Sequence, residues 1–363
     1  MSTVKPGLAR IEAVRISAAR TFARFRRTPA FVGFSLFIFV LILNVLVQGP
    51  GQFFSARNIN TLFSKNMPLL LTTLAMSPLL ISGTLDISIG IQLALVNVVS
   101  IMVAQEWGVS LFVGFAMGML ASLLVSAVCW VLVSALRLPA ILASYALIYI
   151  VRGANVLIMS NPQGRVPPEF YKTYDSLLGG FFPVSVLFLV LVFLLWIYLS
   201  RTKFGRNIYA VGGNPRNAFA AGINPAWVQF QAFMLKGFIT GLAGISLTLM
   251  TASGNPLQAE AYGLRSLSAC IIGGLGFGGW GSMSSAFFGA GFLVMIQNTV
   301  YYAFNLLFKM IPGFTVTSYW QNLVSDVIIF LGLLMTIVTS KGQREALRQG
   351  FVKQFKGGER LAK

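Results

Sequence analysis

Apolar residues run through the chain in blocks of about 20, the length a helix needs to cross the hydrocarbon of a bilayer. On that rule the pattern predicts ten spans, at roughly 30–47, 67–83, 88–105, 109–135, 139–159, 181–200, 227–250, 263–280, 284–304 and 319–339. Gly and Pro interrupt several of them, so nine or eleven also fit. The first span lacks a small-x-small cleavage site and reads as uncleaved. Before it, Leu8, Ile11, Val14, Ala18, Phe22 and Phe25 recur at steps of three and four, with Arg10, Arg20, Arg24 and Arg27 largely off that face. Residues 1–29 are therefore either an amphipathic helix on the cytoplasmic membrane surface or a disordered basic tail. Two spans carry small residues at every fourth position: Gly114, Gly118, Ser122 and Ser126 in one, Thr240, Gly244 and Thr248 beside Gly237 and Gly241 in the other. Such stripes let helix backbones approach closely inside a packed bundle.

Composition narrows the class. Of 363 residues, 56% are hydrophobic and 10% charged, too few charges to solubilise a surface in water. The net charge of +18 does not indicate nucleic acid, because Lys and Arg gather in the two tails and one central loop. With both termini inside, cytoplasmic segments hold seven Lys/Arg in 1–29, seven in 340–363, four in the central loop (Arg201, Lys203, Arg206, Arg216) and Arg137. Against these nineteen stand six outside: Arg57, Lys65, Arg152, Arg165, Lys172 and Lys309. The expected layout is a basic cytoplasmic segment (1–29), one transmembrane domain (30–339) and a basic cytoplasmic tail (340–363), with both termini cytoplasmic. No histidine is present, and Cys129 and Cys270 lie in apolar runs, so the usual zinc site and the commonest general base are missing.

Four segments carry candidate chemistry. In "LLISGTLDISIG" (79–90) a lone acid, Asp86, sits between apolar helices. It is either the N-cap of a helix beginning near Ile87 or a functional intramembrane carboxylate, and the two are compatible, since transporters place binding groups at helix breaks. In "GGLGFGGWG" (273–281), Gly274, Gly276 and Gly279 satisfy G-x-G-x-x-G, but no strand precedes it and no acid follows about 20 residues on. A tight turn between spans is the better reading. The polar loop at 201–226 is longer than a connection needs. Asn214 or Asn217 is placed to cap a short helix through Ala218, Ala220 and Ala221, with Gly222 as its stop and Pro225 beyond, a docking element or a plain connector. The outer loop at 160–180 reads as an ordered, non-helical lid or docking surface.

Three of these segments, in this order, resemble the membrane permease subunits of bacterial ABC-type sugar importers, the ribose/xylose/galactoside branch. The acid segment is similar through Ser82, Gly83, Asp86, Ile87, Ser88, Ile89 and Gly90. The central loop is similar through Thr202, Phe204, Gly205, Arg206, Ile208, Tyr209, Ala210, Gly212, Gly213 and Asn214, and continues into a similar "AAGIN". The glycine turn is similar through Gly273, Gly274, Gly278, Gly279 and Gly281, and Asn298 sits where the family carries an Asn in the next span. The chain departs at Thr84–Leu85, where Gly–Ile is commoner, and at Met283–Ser285, where another Gly is common. The resemblance covers most of 58–340.

It implies an all-α integral membrane protein of about ten transmembrane helices, with broken or re-entrant segments and two related half-bundles, in the bacterial inner membrane. It implies transport of a monosaccharide or similar small polar solute by alternating access, with no catalytic residue, metal or cofactor in this chain. The implied partners are a pair of ATP-binding subunits, a periplasmic solute-binding protein, a second permease copy or paralogue, and the lipid bilayer. Arg206, Asn214, Ala218, Ala221 and Gly222 would form the ATPase-coupling loop. Asp86, Ser88, Gly90, Gly274, Gly279 and Asn298 are candidates for the translocation path or its helix breaks. An ion-coupled secondary transporter is the competing reading. It would want acids within spans, where Asp86 and Asp326 qualify. A membrane enzyme would need a catalytic constellation, and no His, no Cys/His pair and no close carboxylate pair is present.

Overall fold

The computed structural model describes residues 30–310, 320, 323–324, 326–331 and 334. The surface helix expected in 1–29, the tail 340–363 and most of the span 319–339 lie outside the described residues. The described chain is mostly helical. In order come α1 (Ala30–Gln48), α2 (Pro50–Phe53), α3 (Ala56–Ile81), α4 (Ile89–Glu106), α5 (Leu111–Trp130, continued by a π turn over Val131–Ala135) and α6 (Ala140–Ile158). Then follow α7 (Pro168–Tyr174), a two-residue antiparallel hairpin of β1 (Leu177–Leu178) and β2 (Phe182–Pro183), and α8 (Val186–Ser200). The last are α9 (Lys203–Gly213), α10 (Pro215–Ala220), α11 (Pro225–Thr251), α12 (Tyr262–Ile272) and α13 (Met283–Met310).

Among the described residues, six helices are long and apolar enough to cross a membrane: α1, α4, α5 with its π turn, α6, α11 and α13. A seventh arises if α8 and α9, bent by 80°, count as one broken span. The expected ten are thus not confirmed: most of 319–339 lies outside the described residues, α8 reaches span length only together with α9, and two further segments fall short for physical reasons. The 26-residue α3 opens on a polar stretch containing Arg57, Asn58, Asn60, Lys65 and Asn66. The segment 263–280 is not a full span either: α12 has 11 residues and ends at Gly273, where the glycine run takes over. Two further expectations are revised. The outer loop contains a helix, α7, because Pro168 opens its first turn and Glu169 and Lys172 lie at the ends that suit their charges. The central loop contains two helices rather than one, since α9 precedes the short α10.

The bundle is centred on α11, which packs on α3, α4 and α5. The small-residue stripes meet at this centre. Ser122 Oγ of α5 donates to the Gly237 carbonyl of α11 at 2.8 Å. A Cβ on Gly237 would strike Ser126, and one on Gly244 would strike Val96 of α4. Close backbone approach replaces the hydrophobic drive that lipid does not supply between helices. At one edge α1 lies on α13, joined by Asn44, whose Nδ2 donates to the Met295 carbonyl at 2.9 Å and whose Oδ1 accepts from Asn298 at 3.0 Å.

Two prolines inside α3 show how the bundle satisfies its backbone. Pro68 has no N–H for the Ser64 carbonyl, and Pro78 has none for that of Leu74. The Tyr174 hydroxyl, from α7, donates to the Ser64 carbonyl at 2.7 Å, and Ser77 Oγ donates to the Leu74 carbonyl at 2.8 Å. Tyr174 is buried and also pairs with Ser246 of α11 at 2.9 Å. The outer helix is therefore pinned to two core helices through a carbonyl that a proline set free. Tyr174→Phe removes that donor and should lower stability by about 1–3 kcal/mol, the cost of a buried unsatisfied carbonyl. The loss would be read as a lower unfolding temperature in detergent, and an unchanged temperature would show that the pin carries no load.

Candidate functional site

The chain between α3 and α4 is not helical, and Asp86 lies in this break, fully buried. Its Oδ1 accepts from the Ser88 N–H at 2.8 Å and from Ser88 Oγ. Ser88 occupies the N-cap position of α4, so Asp86 braces the turn before the helix rather than capping it. Its second oxygen is committed elsewhere. Lys236 of α11 places Nζ 2.7 Å from Asp86 Oδ2, with neither side chain exposed.

The remaining two ammonium hydrogens are also used. Lys236 Nζ donates to Gln92 Oε1 at 2.6 Å and to Ser126 Oγ at 3.2 Å. Gln92 Nε2 in turn reaches Ser88 Oγ at 2.8 Å and Asp86 Oδ2 at 3.3 Å. An ammonium has three donors, and here each has an acceptor. The cluster is charge-neutral, closed to solvent, and draws on the break, α4, α5 and α11. A lone charge at this depth would cost several kcal/mol, so each ion needs the other.

A second break, residues 252–261 between α11 and α12, crosses the first. A Cβ on Gly90 would strike the carbonyls of Ala259 and Glu260, and one on Gly263 would strike that of Ile87. The two breaks are thus in van der Waals contact through glycines, with Asp86 beside the crossing.

At the C-terminal end of α3, just before the Asp86 break, three motifs converge. Gly278 N–H donates to the Leu80 carbonyl at 3.2 Å and Gly279 N–H to that of Ile81 at 2.9 Å, so the glycine turn closes the C-terminus of α3. Gly278 and Gly279 both have φ near +80°, a backbone open to glycine and strained for other residues. Gly212, at the end of α9, packs on the same spot: a Cβ there would overlap the Ile81 carbonyl. The Tyr209 hydroxyl donates to the Gly281 carbonyl at 3.1 Å, and burial pushes that phenol above its ordinary pKa.

The structure places the other candidates as follows. Asn214 Oδ1 accepts from the N–H groups of Arg216 (3.0 Å) and Asn217 (3.1 Å) and so caps α10, while Gly222 has a φ of +82° just beyond it. Arg206, Ala221 and Gly222 are exposed, but Ala218 is buried against its own chain. The free face of α10 carries Phe219 instead. Gly274 closes the end of α12 by donating to the Ile271 carbonyl. Asn298 joins Asn44 in the α1–α13 contact and not the Asp86 cluster. Among the described residues no group of three His, Cys, Asp or Glu could hold a metal. Sequence reading missed Lys236, Gln92 and Ser126. The available signal was Lys236 itself, a cation inside an apolar run.

A helical bundle with two crossing breaks and a polar arm bent off one end is built as a multi-pass membrane permease. The comparisons agree: the family described as "Branched-chain amino acid transport system / permease component" matches residues 58–337, and the chain belongs to it. Among similar proteins, the inner membrane ABC transporter permease protein YjfF of Escherichia coli is 28% identical, covering 81% of this chain and 88% of its own. The L-arabinose ABC transporter permease protein AraH of Azospirillum brasilense is 29% identical (86% and 88%), and the ribose import permease protein RbsC of Bacillus subtilis 27% (82% and 90%). No solved structure matches.

If Asp86 holds Lys236, neutralising one partner alone must be costly. Asp86→Asn should destabilise by about 3–5 kcal/mol, because it strands a buried ammonium. Adding Lys236→Met should recover much of that loss. The unfolding temperatures of the two single variants and the double variant decide the matter. Normal stability of Asp86→Asn would leave only the turn-bracing role, which an amide can fill.

Proposed function

We propose that this chain is the permease subunit of an ATP-driven importer in a bacterial inner membrane, moving a neutral monosaccharide or related small polar solute by alternating access. The observation that carries this reading is the junction of Gly212, Gly279 and Ile81, which ties an exposed polar arm to the helix that ends in the Asp86 break. The arm, α9 and α10, carries Arg206, Arg216, Phe219, Ala221 and Gly222, the kind of surface on which a separate ATPase pair can seat. A push on the arm reaches the glycine turn and the end of α3, and through them the crossing of the two breaks. In the membrane, α3, α8 and the apolar segment 319–339 complete the spans, with α12 as a half-length segment, and both termini lie in the cytoplasm. A second permease and a periplasmic binding protein complete the importer. The family description names amino acids, whereas several relatives are sugar permeases by name. A neutral solute suits the sugar reading, since the buried charges already cancel in the Asp86–Lys236 pair.

In proteoliposomes holding the assembled importer, uptake of radiolabelled D-ribose, L-arabinose or D-galactose should require ATP and the partner subunits and persist without an ion gradient. Ala221→Trp and Gly222→Val should leave the chain folded while sharply reducing ATPase co-purification or its stimulation by loaded binding protein. Comparable changes at Gln163, in the outer loop, should spare both. Uptake by the chain alone on a proton gradient would make it a secondary transporter. Full docking and stimulation in both arm variants would move the coupling surface away from the arm, to the turn at 273–284.

A further inference from the structure

Arg152 of α6 and Glu260 of the second break form an ion pair at 3.5 Å, and about 40% of each side chain is open (42% and 40%). Its depth makes this unusual. The Glu260 carbonyl lies against Gly90, in the first turn of α4, and Trp107 ends that helix. Arg152 lies about 18 Å from the start of α6 and about 9 Å from its end, within a helix long and apolar enough to cross the membrane, so the pair sits inside the span rather than at either terminus. Asn155, one turn beyond Arg152, confirms the level, since its Nδ2 reaches the Ile91 and Pro256 carbonyls at 3.3 Å. Lipid chains cannot solvate an open ion pair there, so this face meets water or a polar occupant.

The face has more to offer than charge. Tyr145, Tyr149 and Arg152 recur at i, i+4 and i+7 on one side of α6. The two tyrosine hydroxyls are 2.9 Å apart, both rings are exposed, and Tyr149 lies within the electrostatic reach of both Arg152 and Glu260. Asn155 is buried and its Oδ1 has no hydrogen-bond partner among the described residues. A donor (the guanidinium), an acceptor (the carboxylate) and amphoteric hydroxyls therefore stand beside aromatic bodies on one face.

Resting on the permease reading above, we propose that Tyr145, Tyr149, Arg152 and Glu260 line the translocation path and form its intramembrane station for a neutral polyhydroxylated solute. Vicinal hydroxyls both donate and accept, which matches a guanidinium beside a carboxylate. A single 3.5 Å contact leaves the pair most of its hydrogen-bonding capacity. The net charge of the pair is zero, so a neutral occupant leaves nothing uncompensated, whereas an anionic or cationic one would. Tyrosine rings supply an apolar surface for the C–H faces of such a solute.

The test uses the full importer in proteoliposomes with radiolabelled D-ribose, L-arabinose and D-galactose as probes. Tyr149→Cys should react with a membrane-impermeant thiosulfonate at least about tenfold faster than Leu194→Cys, an exposed position on α8, and the transported sugar should slow that reaction. Arg152→Gln and Glu260→Gln should each cut the transport rate about tenfold, and the neutral double variant should not restore it. Restoration by the double variant would make the pair structural and overturn the proposal. An unreactive Tyr149→Cys would place the face against lipid or a second permease, which also overturns it. If Tyr149→Cys reacts but the wild-type importer moves none of the three sugars, the path assignment holds and the sugar reading of the function fails.

Discussion

An ammonium and a carboxylate buried together in a membrane bundle have no alternative to each other. Water does not reach them, lipid cannot solvate them, and each alone would be expelled or neutralised. Lys236 and Asp86 accept that constraint at 2.7 Å, with Gln92, Ser88 and Ser126 taking up the remaining donors and acceptors. The position matters more than the strength. Asp86 lies in the break between α3 and α4, and Lys236 lies in α11, the helix at the bundle's centre. The pair therefore holds an irregular stretch of backbone at one depth and angle, and the second break is laid against it through Gly90 and Gly263.

The rest of the architecture serves this arrangement. Irregular backbone survives within a membrane only where protein buries it or water fills the space beside it. The stripes of small residues on α5 and α11 bring backbones close enough to wall in the cluster. Carbonyls freed by Pro68 and Pro78 find hydroxyl donors in Tyr174 and Ser77. At the C-terminus of α3, immediately before the Asp86 break, the glycine turn closes the helix and packs against Gly212 of α9. One helix thus connects a surface arm to the polar interior.

Much of this was legible in the sequence, and the exceptions have a common cause. Blocks of apolar residues located the helices, and Asn214 and Gly222 marked the ends of α10 because caps and stops are local. Asp86 stood out as an acid among apolar residues. Its partner did not, because 150 positions separate the two and nothing local links them. A cation inside a span is as expensive as an acid, so Lys236, Arg265 and Arg152 each called for an acid. The structure pairs them with Asp86, Asp326 (3.8 Å) and Glu260. Counting Arg152 among outside charges hid one of these pairs. The 263–280 segment failed differently: its composition suits a span, but its glycines end the helix after 11 residues. Ala218 turned inward because helical spacing alone cannot say which face of a short helix meets its own chain.

Hydrogen exchange tests the central claim most directly. In the wild-type chain, purified in detergent, the amides of Ser88 to Gln92 and of Gly263 should be protected, since the locked breaks cover one another. In Lys236→Met both segments should lose protection together, while amides around Asn44 and Asn298, in the separate α1–α13 contact, keep theirs. Unchanged protection across both breaks in Lys236→Met would show that the ion pair does not hold them, and would contradict the account.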